Sequence, residues 1–490
     1  MRNILGLRLL WTSLALFPAF ACGSTSKPGG SPDGGTRDAT TGDARVTDAN
    51  GNPDVVQGGD SGGPPGEGGP GGPDGSDGGA PDSAPPPCTT EAWSTYGHDG
   101  QRTFASGGCV TPAATLKWHY SPTAPAGRTF EAVYRAVAQS DGVFLGWMAS
   151  DSPYTGTTAM DRVDATGARV WTWDSGTDTN LGNWPTIASA YIAVDDDGLY
   201  LLDPMMGTVT HGAGVDWWGQ TIADPSRLYV VNQMQADGPG LFVGAVDDTT
   251  KVLWQQNLHQ ACGNSWGDNM GGIALDSGTL FYAPQYQVGG DAGASVVSGV
   301  YAFDAAAGTP KWNQPTSPQS AISVGSGLVY LVENAATLVA RKETDGTVAW
   351  SASLVPDASF AQVGAQAPVL ANGLAIVATS AGILAFDAST GSPAWTSTVV
   401  APAVAFPSIV TNGCGGNVPT GGARATTMAA ALASGALVVT APAGIDFVSL
   451  GDGHLMGTIQ LDAGFSGAHD PVVVGNRLYV VDATGIDAVE

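Results

Sequence analysis

A turn written several times at one fixed spacing constrains this chain more than any other feature. Ser298–Asp304 leads to Gly308 and Trp312, Ala381–Asp387 to Gly391 and Trp395, and Ala336–Lys342 to Gly346 and Trp350. Asp197–Asp203 leads to Gly207, with His211 in the Trp place. Each time, Gly follows the Asp position by four residues and the aromatic place follows it by eight. The apolar run before the Asp reads as a strand. The Asp caps backbone N–H groups in the turn, and the Gly accepts a positive φ there. The Trp falls on the next strand, where a large ring can wedge between neighbouring sheets. A second strand precedes each unit, such as Leu328–Val332 or Leu374–Ala378, and a shorter one precedes that, such as Ala367–Ala371. Four antiparallel strands per repeat make a propeller blade.

Degenerate copies fill the gaps. Asp164 to Gly167 and Trp171, and Asp247 to Trp254, are shortened, and Ala443–Ser449 with Gly453 has no Trp. The last copy, Thr484–Glu490, aligns with Ala381–Asp387, and its missing outer strand is available near Leu116–Trp118. That strand closes the ring and leaves no open sheet edge. The expected fold is all-β: an eight-bladed propeller of four-stranded antiparallel blades, with seven left open because the copy around 428–461 is weak. Trp118, Trp171, Trp254, Trp312, Trp350 and Trp395 are its structural tryptophans.

The A-x-D-x-x-x-G-x-x-x-W turn resembles the repeat of quinoprotein-like propellers, the PQQ-like repeat, and Trp93–Thr103 resembles the opening segment common in that superfamily. The resemblance spans about residues 90–490. It implies the fold and says little of function, because one fold hosts many sites.

Ahead of the propeller the chain changes character. Arg2 and Arg8, an apolar run from Leu9 to Phe20 and the small-residue site Ala19–Ala21 read as an export signal over residues 1–21. Ala19-Phe20-Ala21-Cys22 resembles a bacterial lipobox, which implies lipidation of Cys22; ordinary signal-peptidase cleavage at the same bond is the rival reading. Residues 22–87 are Gly, Pro, Ser, Thr and Asp with almost no large apolar side chain. Such a segment cannot offset its ordering entropy, and as a coil of about 65 residues it reaches about 45 Å. Cys22 aside, four Cys remain for the domain at 88–490. Cys88 pairs with Cys109 and, by elimination, Cys262 with Cys414, against the alternative of unpaired thiols.

Long loops on a rigid scaffold are where binding usually resides. Met148–Thr158, Met234–Gly240 and Pro284–Ser298 are expected as long loops between second and third strands, and Gln255–Gly271 and Thr396–Thr427 as long loops between blades. All share one face. The candidate binding face therefore holds Trp266, Asp268 and Asn269 beside Cys262 and Cys414. Asn183, Trp184, Trp218, Gln366, His469 and Asp470, just ahead of inner strands, line the same mouth. Each of these residues could equally pack or cap a strand.

Catalytic signatures are weak. Quinoprotein dehydrogenases, by the same resemblance, carry an adjacent Cys pair and a calcium held by carboxylate and amide side chains beside the quinone; no two Cys are adjacent here. Gly263–Gly267 matches G-x-S-x-G but falls in an interblade loop rather than between a strand and a helix. Asp195–Gly198 is a hairpin tip, the six His lack metal-ligand spacing, and Asp48–Asp54 has Pro53 where a calcium loop needs Gly. No catalytic residue, metal or cofactor is expected. A formal charge of −26 repels phosphate backbones and argues against nucleic acid.

Anchor, tether and cofactor-free propeller together resemble the propeller lipoproteins of the outer-membrane β-barrel assembly machinery. The expectation is a monomeric, non-enzymatic scaffold that binds envelope proteins, with β-barrel assembly components as partners. Its membrane contact is through lipid alone, at the outer membrane. The alternative is a surface carbohydrate-binding or adhesin module, suggested by Trp184, Trp217, Trp218 and Trp266. A quinone-dependent dehydrogenase stands third.

Overall fold

In a computed structural model of the chain, the repeats become eight sheets in sequence order. The structure describes residues 88–490 apart from 96, 153–154, 177–184, 196–197, 213–215, 218–220, 236–237, 261–271, 289–294, 335, 355–365, 380–381, 400–428, 442–443, 462–470 and 483. Every regular element among the described residues is a strand. Blades 1 to 7 span 129–174, 186–212, 222–260, 273–315, 323–353, 369–397 and 429–460. Blade 8 takes three strands from 471–489 and its outer strand from Leu116–Tyr120. That outer strand pairs antiparallel with Ile486–Val489, Leu116 opposite Val489 and Tyr120 opposite Ile486, and so closes the ring.

One row of side chains explains the repeat. In blade 4, Phe281, Ala302 and Trp312 lie opposite one another on strands two, three and four. Blade 5 repeats this with Tyr330, Ala340 and Trp350, blade 3 with Tyr229, Ala245 and Trp254, and blade 8 with Tyr479, Ala488 and Trp118. The small Ala lets the Trp ring reach the aromatic ring beyond it; the Phe281–Trp312 centroids are 5.9 Å apart and those of Tyr330–Trp350 6.0 Å. Each Trp then docks on the next blade. The indole N–H of Trp312 donates to the carbonyl of Glu343 at 2.7 Å, that of Trp350 to Ala388 at 2.9 Å, and that of Trp395 to Leu450 at 2.8 Å. Trp118, Trp171 and Trp254 donate likewise to Ala165, Pro204 and Ala305. Beneath the ring lies the turn glycine of the next blade. Gly207, at φ +68°, would bring an added Cβ within 2.5 Å of Trp171. The glycine therefore serves two needs, a left-handed backbone and a flat floor for the indole.

Two seams lack the docked Trp, and each compensates. In blade 2 the row reads Ala193, Leu201, His211, and in blade 7 it reads Val438, Phe447, Gly457. The bulk moves from the fourth strand to the third: Leu201 and Phe447 are fully buried. Leu201 packs with Leu228, Val230 and Phe242 of blade 3, so it, and not the exposed His211, does the packing of the missing Trp. At the seam between blades 7 and 8, an added Cβ on Gly457 would meet Pro112, which precedes the closing strand.

The structure corrects the reading of the elaborated loops. Met148–Thr158 is strand on both sides of a hairpin, Gly142–Ser152 paired with Thr155–Asp164. Met234–Gly240 joins strands ending at Gln235 and starting at Gly238, and Gln285–Val288 pairs with Ser295–Ser298. Thr-rich and Val-rich runs such as Thr155–Thr158 and Ser295–Ser298 favour pleated pairing over open loop.

Candidate functional site

The opening segment surrounds the axis. Trp93 exchanges backbone hydrogen bonds with Ala138 of blade 1 at 2.8 and 3.0 Å. Ser94 accepts from Ile187 of blade 2, and the Thr95 hydroxyl donates to the carbonyl of Thr221 ahead of blade 3. Gly100, Gln101, Thr103 and Phe104 then accept backbone N–H groups from Leu275, Val324, Leu370 and Ala431 of blades 4 to 7. Ser106 donates to Val473 and the Cys109 N–H to Gly475, in blade 8. One short thread therefore bonds to every blade or its threshold in turn.

Except in blade 3, these contacts fall at or beside the last residue of the inner strand. The thread thus lies toward the face of the short turns. Trp93, Arg102 and Phe104 are fully buried within it. His98, Arg102 and Phe104 hold positive φ of 81°, 57° and 53°, a conformation non-glycine residues keep only where surroundings over-determine it. Asp99 fixes the bend by accepting the Thr103 N–H at 3.0 Å and its hydroxyl at 2.7 Å. Burial pushes the Asp99 carboxyl up, but His98 and the Thr103 bonds outweigh it and hold it below the usual carboxylate range. Cys88 and Cys109 at the two ends are joined by a disulfide, their Cα atoms 5.4 Å apart.

A ligand on the axis would therefore have to enter from the other face, where second-to-third-strand hairpins and blade-to-blade connections lie. Of the mouth residues expected there, Gln366 is buried just ahead of the inner strand Val369–Ala371. Asn183, Trp184, Trp218, Trp266, Asp268, Asn269, His469 and Asp470 lie outside the described residues, as do Cys22, Cys262 and Cys414.

Two acidic groups missed in the sequence sit at or near blade seams. Glu333 is buried and accepts Arg341 Nε at 2.6 Å and Nη2 at 2.8 Å, with the Thr316 hydroxyl at 2.7 Å; it ties blade 5 internally. Glu343 in blade 5 faces Asp276 in blade 4. Burial first, then the Asp276 carboxylate, pushes the Glu343 carboxyl up to about 7. Gln101 of the opening segment donates to Asp276 at 2.8 Å, linking the pair to the thread. Neither residue carries a sequence motif; only the fold brings 276 and 343 together.

The described residues hold no group of three His, Cys, Asp or Glu placed to grip a metal, and the chain has no adjacent Cys pair.

Residues 241–407 match the family described as outer membrane protein assembly factor BamB. No curated protein matches the chain in sequence. Among solved structures, a quinohemoprotein alcohol dehydrogenase from Comamonas testosteroni is similar with TM-score 0.57 at 12% identity, covering 82% of this chain and 80% of that one. A europium-containing methanol dehydrogenase gives 0.54 at 12% identity, covering 81% and 90%. BamB from Moraxella catarrhalis gives 0.48 at 14% identity, covering 73% and 93%. At such identities the likeness is of fold alone. The chain is an eight-bladed β-propeller built from PQQ-like repeats, and over residues 241–407 it is similar to the BamB assembly-factor family.

Proposed function

We propose that this chain is a non-enzymatic, protein-binding scaffold of the bacterial cell envelope, held to the outer membrane by a lipid on Cys22 and working as a monomer on envelope proteins. The observation that carries the reading is the match of residues 241–407 to an outer-membrane protein assembly factor. The setting proposed is therefore outer-membrane protein assembly, with β-barrel assembly components as partners. A lipobox-like Ala19–Cys22 and the Gly/Pro/Asp-rich stretch behind it support an anchored, tethered domain. The proposed contact face is that of the blade-to-blade connections, with Trp266, Asp268 and Asn269.

The test is crosslinking of the native protein in intact cells, followed by solubilisation, pull-down and mass spectrometry. Enrichment of β-barrel assembly components, lost on substitution of Trp266, Asp268 and Asn269, is the expected result. Recovery without any envelope protein overturns the reading and redirects the search to glycan arrays and quinone titration.

A further inference from the structure

The repeat breaks in three ways at blade 2 and the turn of blade 3 that faces it. His211 replaces the Trp, and the turn of blade 3 that would receive that Trp has Thr250 in the glycine place, at φ +65°. A side chain there excludes an indole seated as in the sister seams. A cleft of about 320 Å³ lies between the two blades, lined in part by Ser189, Tyr191, Thr210, His211, Ser226 and Asp248. Asp248 directly follows the turn residue Asp247 and so holds the place whose carbonyl takes an indole N–H in the six docked seams. The third departure is Met205–Met206, at 61% and 64% exposure. The sister turns carry Ala306–Ala307, Thr344–Asp345, Ser389–Thr390 and Gly451–Asp452 at the same places. The Met205–Met206 turn belongs to the seam with blade 1, where Met205 Sδ accepts Arg162 Nη1 at 3.3 Å.

The chemistry of the cleft selects its occupant. Its walls offer a carboxylate, hydroxyls and an aromatic ring, and no Lys or Arg is among its lining residues. Burial, then the carboxylates of Asp248, Asp224 and Asp247, pushes the Tyr191 phenol up to about 12, which marks the field there as negative. Arg227, on the adjoining turn, is turned away toward blade 4, donating to the carbonyls of Ala305 and Ala306. A guanidinium is planar, cationic, rich in N–H donors and smaller than an indole. We propose that the cleft between blades 2 and 3 receives an arginine side chain of a protein partner. The chain's charge of −26 favours a basic partner of this kind. The inference rests on the scaffold reading and names one of its contacts.

Titration calorimetry of the full mature chain with triarginine and with tricitrulline, its uncharged analogue, tests it. Triarginine is expected to bind and tricitrulline not to. Asp248→Asn should weaken triarginine about tenfold, the scale of one interfacial charge contact. Asp452→Asn, the same charge change on an exposed turn of blade 7, should leave the affinity unchanged. Absence of triarginine binding, equal binding of tricitrulline, no effect of Asp248→Asn, or equal weakening by both variants overturns the cleft assignment. The scaffold reading falls separately, when crosslinking recovers no envelope protein.

Discussion

Leu201 stands directly across a strand pair from His211 and packs, from the third strand, against the next blade at a seam where six other blades use a fourth-strand Trp. Bulk is thus conserved along the row while its position moves. This separates two substitutions that look alike in sequence. Trp350→Ala removes a half-buried indole, its contact with Tyr330 and its bond to Ala388, and is expected to cost about 3 kcal/mol or more. His211→Ala, on an exposed site, should stay within about 0.5 kcal/mol. Urea denaturation followed by circular dichroism distinguishes them; a His211→Ala loss as large as that of Trp350→Ala would contradict the assignment of packing to Leu201.

The Glu343–Asp276 contact predicts a pH dependence of stability. Glu343 titrates at about 7 in the folded chain, against an ordinary 4.5. Between those values the folded state holds a proton that the unfolded state has released. The contribution of Glu343 to stability therefore falls as pH rises through that window, and is constant below and above it. Glu343→Gln keeps the shape without the charge and should flatten this part of the profile. Thermal melts of both proteins from pH 4 to pH 8 provide the comparison, and an unchanged slope in the variant would assign the effect elsewhere.

The disulfide closes the opening segment on itself. Replacing Cys88 and Cys109 together by Ser should cost about 3 kcal/mol by loop closure, for a separation of 21 residues. Because the thread bonds to seven of the inner strands, faster hydrogen exchange is expected at Leu275, Val324, Leu370 and Ala431, whose N–H groups it holds. Exchange confined to blade 8 would show that the thread does not depend on the bridge.

Much of the fold was legible because each repeat residue has a local task. Gly207 or Gly391 must turn left-handed, Asp387 must cap its turn, and Trp395 must sit eight residues on; such tasks leave a fixed spacing. Ring closure by Leu116–Tyr120 was readable because the last copy ends without an outer strand. The path of the opening segment was not, since it is written in backbone hydrogen bonds such as Gln101 to Val324, which need no particular side chain. Nor was the exchange of Trp for Leu201, because a Leu in a strand looks like any core residue until its register is known. The hairpins at 148–158 and 234–240 read as loops because their Gly, Pro and polar residues mask continuous pairing. Of the expected mouth residues, Gln366 lies among the described ones, and it is a buried neighbour of an inner strand.

The bridge between Cys88 and Cys109 also decides how the domain meets a mechanical load. A pull on the chain upstream of Cys88 has two routes into the ring: through residues 89–108, or straight across the sulfur–sulfur bond. The covalent route is far shorter, so tension bypasses the thread and arrives at Cys109, whose N–H is bonded to Gly475, a few residues before the closing strand Leu116–Tyr120. The load is delivered at blade 8 while the thread's bonds to blades 1 to 7 stay slack.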